Sequence, residues 1–232
     1  MKLTRTLSAL LGTLALATAS LNAQNYIELG DAGQTLGTAQ NTGITGGQSL
    51  TTITGSILTP GDADLFRITI TSPIIFSATT TFGGLTTLDT ALFLFNSLGQ
   101  AIYTNDDVSG SSFQSTLPAG TSFTMSLAAG TYYLAISLSG NEPVNLNGQL
   151  LFAAYIAGDS TSVRGAAAGV NPNTLNGFNG ATSFAEMGSY RIDLTGAATA
   201  VPEPSTTALC LAAAGVATVV IRRRRKARVA LS

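Results

Sequence analysis

Histidine and tryptophan are absent from the 232 residues, and the one cysteine, Cys210, lies in an apolar run near the end. Without histidine there is no Ser-His-Asp or Cys-His machinery and no His-based zinc site. A lone cysteine forms no intramolecular disulfide, so any folded domain rests on its own core. Lysine is missing between residues 24 and 200, where only Arg67, Arg164 and Arg191 are basic. The same span holds eleven of the twelve acidic residues, so its formal charge is 3 − 11 = −8. A surface of that sign repels phosphate backbones, which argues against nucleic acid as a partner. It suits solubility outside the cell, or cation binding.

The other eight basic residues sit at the two ends. Lys2 and Arg5 precede an apolar stretch at 7–16, and small residues follow at Ala17, Ala19 and Ala23. That order is the plan of a secretory signal peptide over residues 1–23, with cleavage expected after Ala19 or, preferably, Ala23. The stretch is too short to span a bilayer comfortably. At the other end, residues 206–221 are apolar and run directly into Arg222, Arg223, Arg224, Arg225 and Lys226, with Arg228 beyond. As a helix, 16 residues cover about 24 Å, slightly less than a hydrocarbon core of ~30 Å. Bilayer thinning and snorkelling arginines absorb such a mismatch. The sequence therefore predicts one C-terminal transmembrane helix, with the basic tail at 222–228 on the cytoplasmic side and residues 24–200 outside.

Pro202-Glu203-Pro204 stands just before the span, and neither proline can continue a helix, which keeps that segment extended and open to a protease. The triplet, the short span and the arginine cluster together resemble the PEP-CTERM sorting signal, over 201–228. The resemblance implies an exosortase, a membrane cysteine protease-transpeptidase, as the partner that reads Pro202, Glu203 and Pro204. It also implies Arg222, Arg223, Arg224 and Arg225 as the membrane stop. Cys210 reads as a small apolar helix residue.

Between the ends, strand-length runs alternate with Gly-, Asn- and Asp-rich turns. Phe66, Ile68 and Ile70 alternate with polar neighbours, as do Phe123, Met125 and Leu127, and Tyr190, Ile192 and Leu194. Period-two patterning places one face on a core and the other in water. Residues 91–95 and 132–138 are more continuously apolar, as central strands are. Further strands are expected at 50–58, 74–81, 100–103 and 149–156. The fold class expected is all-β, an antiparallel, jelly-roll-like β-sandwich over 24–200. Residues 157–187, dominated by Gly, Ala and Asn, read as a long loop insertion, either functional or loosely held.

Five short motifs punctuate this domain: Asp62-Ala63-Asp64-Leu65-Phe66, Asp89-Thr90-Ala91-Leu92, Asn105-Asp106-Asp107, Gly130-Thr131-Tyr132-Tyr133 and Gly188-Ser189-Tyr190. In this order they resemble the bacterial pre-peptidase C-terminal (PPC) domain, a β-sandwich, although the connection at 141–187 is longer than usual there. The resemblance implies calcium binding through Glu28, Asp31, Asp62 and Asp64. Calcium takes six to eight oxygens, and these few carboxylates lie at the low end of that requirement. Asx-turns that cap strands explain the same aspartates without an ion.

No other cofactor is expected. Asp89-Thr90-Ala91 lacks the glycine of an aspartic-protease loop, and Asp106 and Asp107, neighbours in one turn, do not face each other across a substrate. The chain reads as a non-enzymatic, exported cell-envelope or matrix protein, with the general secretory machinery, an exosortase, the membrane and extracellular polysaccharide as partners. Two rivals stay open: a calcium-dependent adhesion or carbohydrate- or protein-binding module, and, more remotely, a secreted hydrolase using Asp89 or Asp106.

Overall fold

The computed structural model describes residues 23–43, 48–81, 84, 86–155, 159–182 and 185–198. The expected span at 206–221, the sorting triplet and the arginine stop lie outside the described residues, as does the expected signal peptide apart from Ala23. Among the described residues no helix is long and apolar enough to cross a membrane.

The described chain is almost wholly β. Its strands are β1 (Ala23–Ile27), β2 (Gln40–Asn41), β3 (Ser49–Ile57), β4 (Ala63–Ile70), β5 (Ser77–Thr79), β6 (Thr90–Asn96) and β7 (Ala101–Asn105). These are followed by β8 (Thr116–Leu117), β9 (Gly130–Leu138), β10 (Pro143–Val144), β11 (Arg164–Gly165), β12 (Gly177–Phe178), β13 (Gly188–Thr195) and β14 (Ala197–Ala198). One half of the sheet runs β11-β7-β6-β9-β4, the other β3-β13-β5-β8, and the two-residue β14 joins β4 to β3. The sheet curls so that its halves face each other. Most pairs are antiparallel, but the N-terminal segment departs from the expected pattern: β1 pairs β3, and β2 pairs β4, in parallel.

Strand alternation explains the core. Phe66, Ile68 and Ile70 of β4, Leu92 and Leu94 of β6, and Leu134 and Ile136 of β9 point between the halves. They meet Leu50, Ile53 and Ile57 of β3 and Tyr190 and Ile192 of β13 there. The opposite faces of those central strands are not wet. Leu65, Ala91, Phe93, Phe95 and Ala135 pack under Leu151, Phe152 and Leu175 as a second core. That second cover is why 91–95 carries no polar alternation.

The cover comes from the segment after β9. Within 157–187 the described residues lie against the sheet: Arg164 and Gly165 extend it beside β7, and Phe178 packs edge-on against Phe93 with centroids 5.8 Å apart. Phe152 wedges between Phe93 and Phe95, 5.5 Å from each ring. Two further expectations change. Where described, at 149–155, the strand expected over 149–156 is replaced by isolated bridges at Leu150 and Phe152, because the adjacent Leu151 and Phe152 are both needed in the cover. The alternating Phe123, Met125 and Leu127 belong to a short helix, α1 (Ser122–Met125), and its end, because Thr121 and Thr124 cap each other reciprocally. Residues 74–81 divide into a 3-10 turn at Pro73–Ile75 and the three-residue β5.

Register defines two poles. β4, β6 and β13 begin, and β1, β3, β7 and β9 end, at one of them. At the other, Ser49 pairs with Ala23 on one side and Ala198 on the other. With neighbouring strands ~4.8 Å apart, the two ends of the described chain emerge within about 10 Å of each other.

Candidate functional site at the acidic pole

The first pole collects charge. Glu28 and Asp31 follow β1, Asp62 and Asp64 bracket the start of β4, and Asp89 precedes β6. Asp106 and Asp107 follow β7, Glu142 follows β9, and Glu186 precedes β13. Asp159 joins them, since the Asp107 N–H donates to the adjoining Ser160 carbonyl at 3.2 Å, so ten of the eleven carboxylates between residues 24 and 200, all but Asp193, are at one end of the described residues.

The Asp-x-Asp motif divides by function because a strand alternates. Asp62 closes the β3–β4 turn: its Oδ2 accepts the Leu58 N–H at 2.8 Å, while its own N–H donates to the Thr59 carbonyl at 3.0 Å. This is the turn role that the motif predicts without any ion. Asp64 lies on the same face of β4 as Phe66 and Ile68, so it enters the mouth of the core and is fully buried. The Tyr190 hydroxyl donates to its Oδ2 at 2.7 Å, and its Oδ1 has no partner.

Glu28 and Asp31 come to Asp64 from the segment after β1. Glu28 is fixed at both oxygens, accepting the Ala32 N–H at 2.9 Å and the Ser56 N–H at 2.8 Å. Asp31 accepts the Gly33 N–H at 3.0 Å. Glu28, Asp31 and Asp64 each place a carboxylate oxygen within 4.8 Å of the others. Gly55 makes the approach possible, since a Cβ there would overlap Glu28 Oε2 and the Tyr190 hydroxyl. A cleft of ≈ 510 Å³ opens beside the cluster, lined by Ile27, Glu28, Gly55, Ser56, Tyr190 and Arg191.

So close a set of like charges is unfavourable when bare. Two unit charges 4 Å apart near a protein surface interact by about 4 kcal/mol. Burial, with the charges of Glu28 and Asp62 adding, holds the Asp64 carboxyl well above the ordinary carboxylate range, against the stabilising Tyr190 hydrogen bond. Burial followed by the Asp64 charge raises Tyr190 as well, so the phenol stays a donor. Arg191 does not supply the missing positive charge to Asp64; its guanidinium pairs with Asp193 at 2.6 Å.

The donors fit calcium in kind: all are oxygens, one buried carboxylate oxygen is unpartnered, and three acids converge. Glu28, Asp31 and Asp64 would hold the ion, with waters completing its shell. Of the four residues that the sequence suggests, these three come together, while Asp62 is engaged in its turn and contributes charge. The residue missed is Tyr190. Its motif, Gly188-Ser189-Tyr190, marks only a strand start, and its hydroxyl meets Asp64 from 126 residues away.

These features define an acidic all-β domain with most of its carboxylates at one pole and both ends of the described segment, Ala23 and Ala198, at the other. The segment beyond Ala198 supplies the second part of the identification: the PEP-CTERM protein-sorting motif matches residues 200–225. The chain carries the signal of an exported protein that is held transiently in the membrane and recognised by an exosortase. Comparison with curated proteins gives no match.

Proposed function

We propose that this protein is a non-catalytic binding or structural module of the cell envelope or extracellular matrix. In this reading the general secretory machinery exports it on residues 1–23. The helix at 206–221, stopped by Arg222–Arg225, then holds it until an exosortase cuts near Pro202-Glu203-Pro204. The domain at 24–200 is a sandwich of the PPC type and works through its acidic pole, toward extracellular polysaccharide or protein. The observation that carries this is the sorting motif at 200–225 combined with the polarity of the fold. From Ala198 to Thr206 the chain reaches at most about 29 Å. While the tail is embedded, the Ser49 pole is therefore tethered at the membrane and the carboxylates are presented outward. A chain without histidine supports a binding role over hydrolysis.

Mass spectrometry of the native protein's C-terminus tests the reading. Loss of the arginine tail in cells with exosortase, and its retention in cells without, is expected. A mature protein that keeps Arg222–Arg225 in both backgrounds overturns processing.

A second reading, calcium-dependent adhesion, is favoured by the convergence of Glu28, Asp31 and Asp64 around an unpartnered buried oxygen. Here calcium neutralises the pole and bridges it to anionic sugars. Binding of the protein to its own matrix polysaccharide should then need calcium and be lost in chelator; equal binding in both removes the adhesion reading and leaves the first intact.

A further inference from the structure

The acidic pole carries a second group of carboxylates, distinct from Glu28, Asp31 and Asp64. Register brings it together. Thr90 of β6 pairs with Leu138 of β9, so Asp89 and Ser139 come level just beyond them, and Leu92 pairs with Asn105 of β7, so Asp106 lies just past the end of β7 at the same pole. Ser139 ties them: its N–H donates to the Asp89 carbonyl at 2.9 Å, and its hydroxyl donates to Asp106 Oδ2 at 3.0 Å. Asp107 follows directly, and Glu186 accepts the Asp89 N–H at 3.1 Å.

Buried polar groups are normally satisfied, and each exception needs a cause, an unplaced ion or water among them. Among the described residues nine buried side-chain nitrogen and oxygen atoms lack a partner. Six of these belong to one patch: Asp89 Oδ1, Asp106 Oδ1, Asp107 Oδ1, Glu142 Oε2, the Tyr155 hydroxyl and Arg164 Nε; the Tyr155 hydroxyl serves Asp106 through a longer hydrogen bond, which leaves Asp89, Asp107 and Glu142 as the carboxylates with a free oxygen. Asp89 is 7% exposed, so its free oxygen is out of reach of bulk solvent. The positive charge nearby is already used. Arg164 pairs with Glu142 at 2.7 Å, donates to the Ala153 carbonyl at 2.7 Å and lies over the Tyr155 ring. Among the described residues, no ion pair reaches Asp89, Asp106, Asp107 or Glu186.

We propose that Asp89, Asp106 and Asp107 form a second divalent-cation site at the acidic pole, one that takes calcium. Among the described residues only Glu28, Asp31 and Asp64 bring three acids within 4.8 Å. A cation between Asp89, Asp106 and Asp107 therefore reaches some of its carboxylates through bound water, as calcium sites often do. The bare alternative is costly in the same way as at the first cluster. Burial and then the charges of Asp106, Asp107 and Glu186 push Asp89 up to about 7. Burial, opposed by hydrogen bonds from the Ser139 and Tyr155 hydroxyls and joined by the charges of Asp107 and Glu142, pushes Asp106 up to about 6. A cation removes that conflict at neutral pH. Lying across β6, β7 and β9, it also clamps the three central strands at their ends.

Equilibrium dialysis of the full chain in detergent against radioactive calcium, after chelator treatment, counts the sites. Two ions per wild-type chain are expected, with one lost in Asp64→Asn and the other in Asp89→Asn/Asp106→Asn. If the double variant does not fold by circular dichroism, Asp107→Asn, half-buried at the rim, reports instead through at least a tenfold loss of affinity in one class of sites. The proposal is overturned if the wild type binds only the ion that Asp64→Asn removes. It is equally overturned if the folded double variant, or Asp107→Asn, keeps wild-type binding. Loss of an ion in the double variant but not in Asp64→Asn would sustain this site and remove the first.

Discussion

The two poles of this domain are built from the same strands and differ in almost everything else. At the acidic pole, strand ends carry carboxylates whose satisfaction is incomplete: Asp64 and Asp89 are buried and each leaves an oxygen unpartnered. At the Ser49 pole, closure is apolar or by neutral hydrogen bonds. Gly196 accepts the N–H groups of Thr71 and Ser72 at 2.9 and 3.1 Å, and α1 closes on its own threonines. Ile74, Ile75 and Met125 stand exposed there. One pole completes itself from the chain; the other is complete only with protons or cations. Attachment and binding are thereby separated along the strands, and stability should respond to different variables at the two ends.

The largest expected effect concerns what both poles share, the covered central strands. Phe152 is buried between Phe93 and Phe95 on the outer face. Phe152→Ala should cost about 3–5 kcal/mol in urea unfolding, the usual range for a large ring removed from a packed site. A loss below about 1 kcal/mol would mean that the 141–182 segment decorates the sheet without stabilising it. The Glu142–Arg164 arm of the acidic pole would then lack its foundation.

Calcium comes next. At a hundred times its dissociation constant, an ion bound only by the folded state adds about 2.7 kcal/mol per site. Asp64→Asn should abolish the share of the first cluster. In chelator at pH 8 the same substitution should be neutral or stabilising, because an amide keeps the Tyr190 hydrogen bond and removes a buried charge beside Glu28. A Thermofluor or calorimetric melt in both conditions checks the reversal of sign. Destabilisation of equal size in both would make Asp64 purely structural.

Proton linkage gives a smaller, graded effect. Asp64, Asp89 and Asp106 are all raised in the folded protein, the last two to about 7 and about 6. An unfolded aspartate titrates near ~3.9, so between about pH 4 and 7 the folded state binds more protons than the unfolded one. Stability contributed by these groups is therefore full below about pH 4 and falls as pH rises through 6 and 7. In chelator the urea midpoint should drop from pH 5 to pH 8, and in saturating calcium the drop should shrink. A metal-free midpoint that rises over that range would contradict the burial of these carboxyls.

How much of this could be read from the sequence follows from where the information lies. The central strands were legible because 91–95 and 132–138 are too apolar for a half-wet sheet, and both prove to be covered on two faces. The helix at Ser122–Met125 was not: Phe123, Met125 and Leu127 alternate perfectly, yet only local cap chemistry decides. Phe123 stacks on Tyr103 at 5.4 Å while Met125 stays in water. At the site, Asp62 and Asp64 stood out as a motif, but their opposite fates depend on which one lies on the core face of β4. The second carboxylate group was harder still. Asp89, Asp106, Ser139 and Glu186 come from separate segments, and nothing in their spacing reports the register that brings them to one pole.

The smallest expected effect is the sharpest test of the division between poles. Thr121 caps α1 at the Ser49 pole: its hydroxyl accepts the Thr124 N–H at 3.3 Å, and the Thr124 hydroxyl accepts the Thr121 N–H at 2.9 Å. Thr121→Ala removes one half of this reciprocal cap and should cost about 1 kcal/mol. No titratable group takes part, so the cost should be the same at pH 5 and pH 8, with calcium or chelator. Constancy is what a self-completed pole requires. If the cost instead grows as calcium is withdrawn, the ends of β9, which begins beside α1 and finishes at Ser139, transmit the state of one pole to the other, and the two are a single coupled unit.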